Sequence, residues 1–266
     1  MSKRHNPFLD RIRFGQPTLM MSIRSARTPD AVRIAHATGF HSIMIDLEHS
    51  AISLDTAAML CGTANDLGMT PFIRTPERDY GVLGRLLDGG AAGIIAPRIE
   101  TVAEAAVIAR ACRFPPRGQR SQLQTMPQYG YRAMPARTLN PLLDDATIVQ
   151  IMLETPAGIA NAHAIAALDG VDLLTIGIND LCAELGCLGQ FEDPRLRDAL
   201  ATAADACRAH GKLLMAGGVG DLSIMSGLMK LGIAPLYLCG TDTDMLFAGA
   251  EARAKRFLDW HATLTF

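Results

Sequence analysis

The sequence predicts a closed barrel of eight parallel strands wrapped in helices, the α/β class known as the (β/α)8 or TIM barrel. Three observations lead there. Short apolar, β-branched runs alternate with stretches of helical period along the whole chain. Eight such strand–helix units fit into 266 residues, and this alternation implies a parallel sheet covered by helices. The competing doubly wound open sheet would carry a GxGxxG turn after its first strand, and none is present. With no break in composition to mark a boundary, residues 1–266 are expected to form a single barrel domain.

The elements follow in order. The first strand is expected over Thr18–Ile23, with a helix opened by the Thr-Pro-Asp at 28–30, since proline suits a first helical turn. The second is His41–Leu47, and Ser53 can cap a helix running to Asp66. The third is Thr70–Arg74, with a helix from Tyr80 to Leu87. The fourth, Gly93–Pro97, precedes a helix over Thr101–Arg113 that begins with a Thr-x-x-Glu capping box. Residues Phe114 to Asp145, rich in Pro, Gly, Arg and Gln, read as a long functional loop. Strand five is Thr147–Leu153, followed by a helix ending near Gly170, and strand six is Val171–Ile178. A helix over Asp193–His210 stops at Gly211. Strand seven, Lys212–Ala216, leads to a helix over Asp221–Leu231, and strand eight, Pro235–Cys239, to a last helix over Asp244–Trp260.

Composition excludes several classes. A formal charge of −2 leaves no electrostatic footprint for nucleic acid or an anionic membrane. No apolar run approaches the roughly 20 residues of a membrane span, and the charged N-terminus lacks the apolar stretch of a signal peptide. The six cysteines form no CxxC pair and read as reduced thiols of a cytoplasmic protein.

Barrel enzymes carry their chemistry at the C-terminal ends of the strands. Strand two ends in Asp46-Leu47-Glu48-His49, where alternation puts Met44, Asp46 and Glu48 on one face. This is either an ion-pair cluster capped by a histidine or a reacting group. Arg74, ending strand three, could clamp a carboxylate or pair with Glu77 or Asp79. Strand five ends in Glu154, and Asp180 is expected to share a strand face with Leu174, Ile176 and Ile178. Two carboxylates on neighbouring strands suit a hard divalent ion that keeps water and takes substrate oxygens. Paired acids for glycoside hydrolysis remain the competing chemistry, and Asp180 also reads as a helix cap. Gly217-Gly218 and Gly240-Thr241-Asp242 occupy phosphate-cup positions, though tight turns explain them equally well. His163, His210, Cys182 and Cys187 read as packing or surface residues.

Taken in order, these strand ends resemble a known family. Ile-Asp-Leu-Glu-His (45–49), Pro-Phe-Ile-Arg (71–74), Leu-Leu-Asp-Gly-Gly-Ala (86–91) and Arg-Phe-Pro-Pro-Arg-Gly-Gln-Arg-Ser (113–121) are similar to segments of the class II, metal-dependent pyruvate aldolases of the HpcH/HpaI type. So are Leu-Glu-Thr (153–155), Gly-Val-Asp (170–172), Ile-Gly-Ile-Asn-Asp-Leu (176–181) and Gly-Thr-Asp-Thr (240–243). The resemblance implies cleavage or formation of a carbon–carbon bond between the enolate of pyruvate, or a similar 2-ketoacid, and an aldehyde. It implies Mg2+, Mn2+ or Co2+ on Glu154 and Asp180, proton transfer by His49, and Asp88 raising the basicity of that histidine. Arg74 would hold the ketoacid and stabilise its enolate; Asn179, beside Asp180, is expected separately to touch substrate. It also implies that the last helix is exchanged between paired subunits, in a hexamer built as a trimer of dimers. An acyl-CoA lyase like the β subunit of citrate lyase, and a barrel that binds ketoacids without turnover, are the other readings. The chain departs from the family pattern at Met152, where glutamine is usual, at Ile178-Asn179 in place of Pro-Ala, and over Gln122–Asn140.

Overall fold

Eight strands, all parallel, follow one another around a nearly closed barrel in a computed structural model that describes residues 6–265. They are β1 (Thr18–Ile23), β2 (Ser42–Asp46), β3 (Thr70–Arg74), β4 (Gly93–Ala96), β5 (Ile148–Leu153), β6 (Leu173–Gly177), β7 (Leu213–Gly217) and β8 (Leu236–Thr241). Each pairs with the next through β7, and β8 returns to pair with β1, leaving the seam between β7 and β8. One backbone bond, from the Ala234 N–H to the Leu214 carbonyl, helps to close it.

The helices are α1 (Pro7–Arg13), α2 (Asp30–Ala37), α3 (Leu54–Asp66), α4 (Leu83–Asp88), α5 (Val102–Ala111), α6 (Ala136–Ala146), α7 (Pro156–Ala160), α8 (Ala162–Ala166), α9 (Ile178–Glu184), α10 (Pro194–His210), α11 (Leu222–Met229) and α12 (Asp242–Ala262). The expected capping box at Thr101 and Glu104 is present, and Gly211 takes the left-handed conformation that ends α10. Among the described residues, no helix is long and apolar enough to cross a membrane.

Strand alternation divides the core in two. Met20, Met44, Phe72, Ile95, Ile148, Met152, Leu173, Met215 and Leu236 point into the barrel. Their neighbours Met21, Ile43, Ile73, Ile94, Val149, Ile151, Leu174 and Leu214 face the helices. Gly93 on β4 leaves the space that Phe72 fills, since a Cβ there would stand 2.2 Å from the ring.

Three elements differ from expectation. Helix α1, at residues read only as a charged extension, plugs the interior with Phe8, Leu9 and Ile12. The Asn6 side chain caps it by accepting from the Phe8 and Leu9 N–H groups, and its amide donates to the carbonyls of Asp145 and Ala146. The expected long loop contains α6, whose Leu139 and Leu143 pack on Phe114 and Met126. Pro141 inside that helix disguises it, because an interior proline removes a hydrogen bond and argues against helix. Strand β6 ends at Gly177, and Ile178 already begins α9. Asp180 therefore sits in the first turn of a helix, not on the strand face predicted for it.

Candidate active site

The strand ends converge on one buried ion-pair centre. Asp46 and Arg74 are register partners on β2 and β3, both inward-facing, and Asp46 is wholly buried. The Arg74 guanidinium grips this carboxylate with two bonds, Nε to Oδ1 at 3.0 Å and Nη2 to Oδ2 at 2.6 Å. Arg24, the residue after β1, donates from Nε to the same Oδ2 at 2.7 Å. The partners weighed for Arg74 from sequence, Glu77 and Asp79, are thus replaced by Asp46 and by Glu48, whose Oε2 lies 3.2 Å from Nη1. The Glu48 and His49 N–H groups each donate to Asp46 Oδ1 at 3.2 Å, and the Ser50 hydroxyl donates to the Asp46 carbonyl. Asp46 therefore shapes the turn that carries Glu48 and His49. Burial opposes its ionisation, but the bonds and charge of Arg74, the bond from Arg24 and the His49 N–H hold its carboxyl below the ordinary range.

Across the mouth stands a second group of acids. Glu154, one residue past β5, is 3% exposed, and its Oε2 accepts the Arg98 N–H at 2.8 Å. Arg98 has a left-handed backbone (φ +50), a conformation uncommon for a non-glycine residue. Gly177 makes room for the rest of the carboxylate, because a Cβ there would meet Glu154 Oε1 at 2.3 Å. Burial pushes the Glu154 carboxyl up, the Arg98 N–H opposes this, and the charges of Glu48 and Asp180 raise it further. Glu48 is likewise pushed up by burial and by the charges of Asp46, Asp180 and Glu77, against the pull of Arg74, and its buried Oε2 makes no hydrogen bond. Asp180 is exposed. These mutual effects place Glu48, Glu154 and Asp180 around one electronegative spot beside Arg74.

The remaining expected residues divide. His49 lies at the rim with its side chain 55% exposed and Nε2 3.7 Å from Glu48 Oε2. Asp88 is the last residue of α4, on the return to the N-terminal end of β4, and Arg120 holds its carboxylate at 2.9 Å. Helices run back from the mouth, so within one chain Asp88 is not brought beside His49, and Glu48 stands there instead. The Asn179 amide donates to the Gly218 carbonyl at 3.1 Å, tying the turn after β6 to the turn after β7. Gly218 and Gly240 adopt positive φ as tight turns require, and the Asn179 amide packs against the first. Arg24 is the site residue that the sequence reading passed over, although it ends a strand as Arg74 does. Of the cysteines, all unpaired, five are buried and Cys239 is exposed.

Comparison with known proteins gives this geometry a context. Residues 19–230 match the family model described as HpcH/HpaI aldolase/citrate lyase. A 4-hydroxy-4-methyl-2-oxoglutarate aldolase of Hapsidospora irregularis is 37% identical over 233 residues, covering 86% of each chain. A 4-hydroxy-2-oxo-heptane-1,7-dioate aldolase of Salmonella dublin is 30% identical over 264 residues, covering 95% of this chain and 94% of that one. In fold, an HpcH/HpaI aldolase from Desulfitobacterium hafniense superposes with a TM-score of 0.84 at 22% identity, covering 97% of both chains. An inward arginine gripped by a buried aspartate, facing two acids at a barrel mouth, thus sits in a chain that matches aldolases over nearly its whole length. The chain belongs to the HpcH/HpaI aldolase/citrate lyase family of carbon–carbon lyases.

Proposed function

We propose that this barrel is a divalent-metal-dependent aldolase that cleaves 4-hydroxy-2-ketoacids to pyruvate, or a similar 2-ketoacid, and a carbonyl compound, and forms them in reverse. The observation that carries the reading is the set of Glu48, Glu154 and Asp180 beside the buried Arg74, with two of the three acids pushed up in pKa. Uncompensated like charges at a strand mouth are costly unless a cation joins them. Among the described residues no three His, Cys, Asp or Glu side chains are arranged as a ready metal cage. Two oxygen ligands, Glu154 and Asp180, fit a hard ion such as Mg2+, Mn2+ or Co2+, which keeps several waters and takes substrate oxygens. When bound, the ion supplies charge stabilisation to the enolate.

The chain's own groups supply the rest. Arg74, locked by Asp46, presents a fixed guanidinium to the ketoacid and to the charge that develops on the enolate. His49, turned toward the mouth by the Asp46 hydrogen bonds and standing near Glu48, takes the proton of the C4 hydroxyl during cleavage. The C3–C4 electron pair passes to the enolate, and the same histidine side returns a proton to C3. Asn179 fixes the turn beside Asp180. We place the enzyme in the cytoplasm, as a single barrel domain assembled from paired copies, on the strength of its buried reduced thiols and the uncovered last helix described below.

The test measures pyruvate release from 4-hydroxy-4-methyl-2-oxoglutarate together with thermal unfolding, with and without Mn2+. Glu154→Gln is expected to lose turnover by at least about 100-fold. It should also lose the Mn2+-dependent rise in melting temperature that the wild type shows. Wild-type turnover undiminished by excess EDTA would refute the metal assignment.

A further inference from the structure

Strand β8 does not pair evenly with β1. Met20 faces Leu238 but Ser22 faces Thr241, so β8 carries one more residue than β1 over this stretch. Gly240, at φ +131, lies within that bulge, a device that re-aims the residues following it. The extra residue brings Asp242, the first residue of α12, against the turn that leaves β1. There its carboxylate accepts the N–H groups of Arg24, Ser25 and Ala26 at 3.0, 3.0 and 2.6 Å. Consecutive backbone N–H groups converging on one anion form a concave anion site, and here the anion is the chain's own side chain. The carbonyls of the same three residues accept from Arg27 Nη1 at 3.2, 2.7 and 3.4 Å, so the turn is held from both sides. A capping box between Thr241 and Asp244 fixes the start of α12 and with it the place of Asp242.

Arg24 carries the effect of this turn to the site. Its backbone is held by Asp242, and its Nε donates to Asp46 Oδ2 at 2.7 Å. The same oxygen accepts Arg74 Nη2 at 2.6 Å, and Asp46 Oδ1 accepts the His49 N–H. Neither Asp242 nor Arg24 has a part in the mechanism above. We propose that Asp242 is a positioning residue for the lyase reaction, acting through Arg24 and Asp46 on Arg74. It sets the turn that presents Arg24 to Asp46. Arg24 then restrains the Asp46 carboxylate, so that the Arg74 guanidinium stays aimed where the charge of the enolate develops. The seating of α12 on its own barrel thereby enters the rate of the reaction. This role rests on the aldolase reading and goes beyond it, by tying a residue of the last helix to the catalytic arginine. A chain of contacts amounts to coupling only where removing its links is non-additive, and the test is built on that.

Pyruvate release from 4-hydroxy-4-methyl-2-oxoglutarate is measured for the wild type, Asp242→Ala, Arg24→Met and the double variant, each beside its thermal melt. Asp242→Ala is expected to lower kcat about 20-fold and to change KM by less than about 3-fold, as when an interaction of the transition state is lost. Arg24→Met should lower kcat by about 50-fold. Because Asp242 acts through Arg24, the double variant should be no slower than Arg24→Met alone. Asp242→Asn keeps one acceptor oxygen for the turn and should recover part of the loss. If Asp242→Ala fails to fold, Asp242→Asn takes its place in the cycle, and a wild-type kcat there overturns the proposal. A wild-type kcat in a folded Asp242→Ala, or losses that multiply in the double variant, would also overturn it. So would a loss of kcat that vanishes on cooling well below the melting transition, which would leave Asp242 a purely structural residue. A wild type that releases no pyruvate would instead sink the aldolase reading, and this role with it.

Discussion

Asp46 has no solvent exposure, yet it accepts bonds from two arginines and two backbone amides, and so fixes the geometry of the whole mouth. A buried ion pair of this kind contributes mainly through what happens when one partner is removed. Asp46→Asn leaves Arg74 buried against an amide that cannot balance its charge, at a cost of about 3 kcal/mol. The pH dependence follows from the direction of the pKa. The folded-state carboxyl lies below its unfolded value, so its stabilisation is complete above the ordinary carboxylate range and is lost as pH falls through the folded value. The gap in melting temperature between wild type and Asp46→Asn should therefore be widest near neutrality and narrow as the pH drops below about 4. Unfolding curves across a pH series check this, and a constant gap would contradict it. Glu48 and Glu154 have the opposite sign: raised pKa values mean that stability falls as the pH climbs through their titration.

Secondary-structure elements matter here mostly through where they stop. Strand β6 ends three residues before the metal-binding candidate Asp180, and its last inward position is Gly177. The backbone at that glycine has an ordinary φ of −79, so conformational freedom does not explain the residue. Space does. Glu154 from the neighbouring strand crosses the position a side chain would occupy, with 2.3 Å between Oε1 and an added Cβ. Gly177→Ala should consequently displace Glu154 without straining the strand. Turnover is expected to fall about 100-fold, the penalty of misplacing a reacting geometry by an ångström, and Mn2+ protection against unfolding should weaken. Steady-state kinetics beside thermal melts separate this from simple destabilisation, and a variant with wild-type kcat would show that Glu154 does not need its present position.

For the molecule as a whole, the least barrel-like feature is α12. Its 21 residues include no buried side chain, and Leu246, Phe247, Phe257, Leu258 and Trp260 are 58–74% exposed. Phe257 and Trp260 pack edge to face, with ring centroids 6.4 Å apart, and remain open to solvent. A helix that closed its own barrel would bury its apolar stripe against β8 and β1. This one leaves the outer side of β8 only partly covered, with Tyr237 half-buried and Cys239 exposed. Apolar surface on this scale marks an interaction site, and a second copy of the chain, offering its own α12, is the occupant that the exchanged-helix expectation supplies. If copies pair through α12, Phe247→Asp combined with Trp260→Asp should leave monomers where the wild type sediments as a larger species at micromolar concentration. An active, stable wild-type monomer under those conditions would refute the exchange while leaving the chemistry untouched.

Local chemistry announces itself in a sequence, and here it announced a good deal. The strand bounds Thr18–Ile23 and Thr70–Arg74, the Thr101 capping box and the Gly211 stop all depend on residues within a turn or two of one another. The partition between barrel interior and helix-facing layer follows from a period of two, so Asp46, Arg74 and Glu154 could be placed at the mouth from alternation alone. The rest depended on partners far apart in the chain. Arg74 could have paired with Glu77, three residues away in the local neighbourhood of the strand end, but the register of β2 against β3 gives it to Asp46, 28 residues earlier. Within one chain Asp88 goes to Arg120 and not to the neighbourhood of His49, because α4 carries it back to the opposite end of the barrel. Asp180 reaches the acid cluster from a helix because β6 stops early. Helices α1 and α6 acquire their apolar contacts only when the barrel floor and Phe114 are in place. Periodicity is written into neighbouring residues, whereas the partner of a buried charge is chosen by strand register and chain direction, and those exist only in the folded molecule.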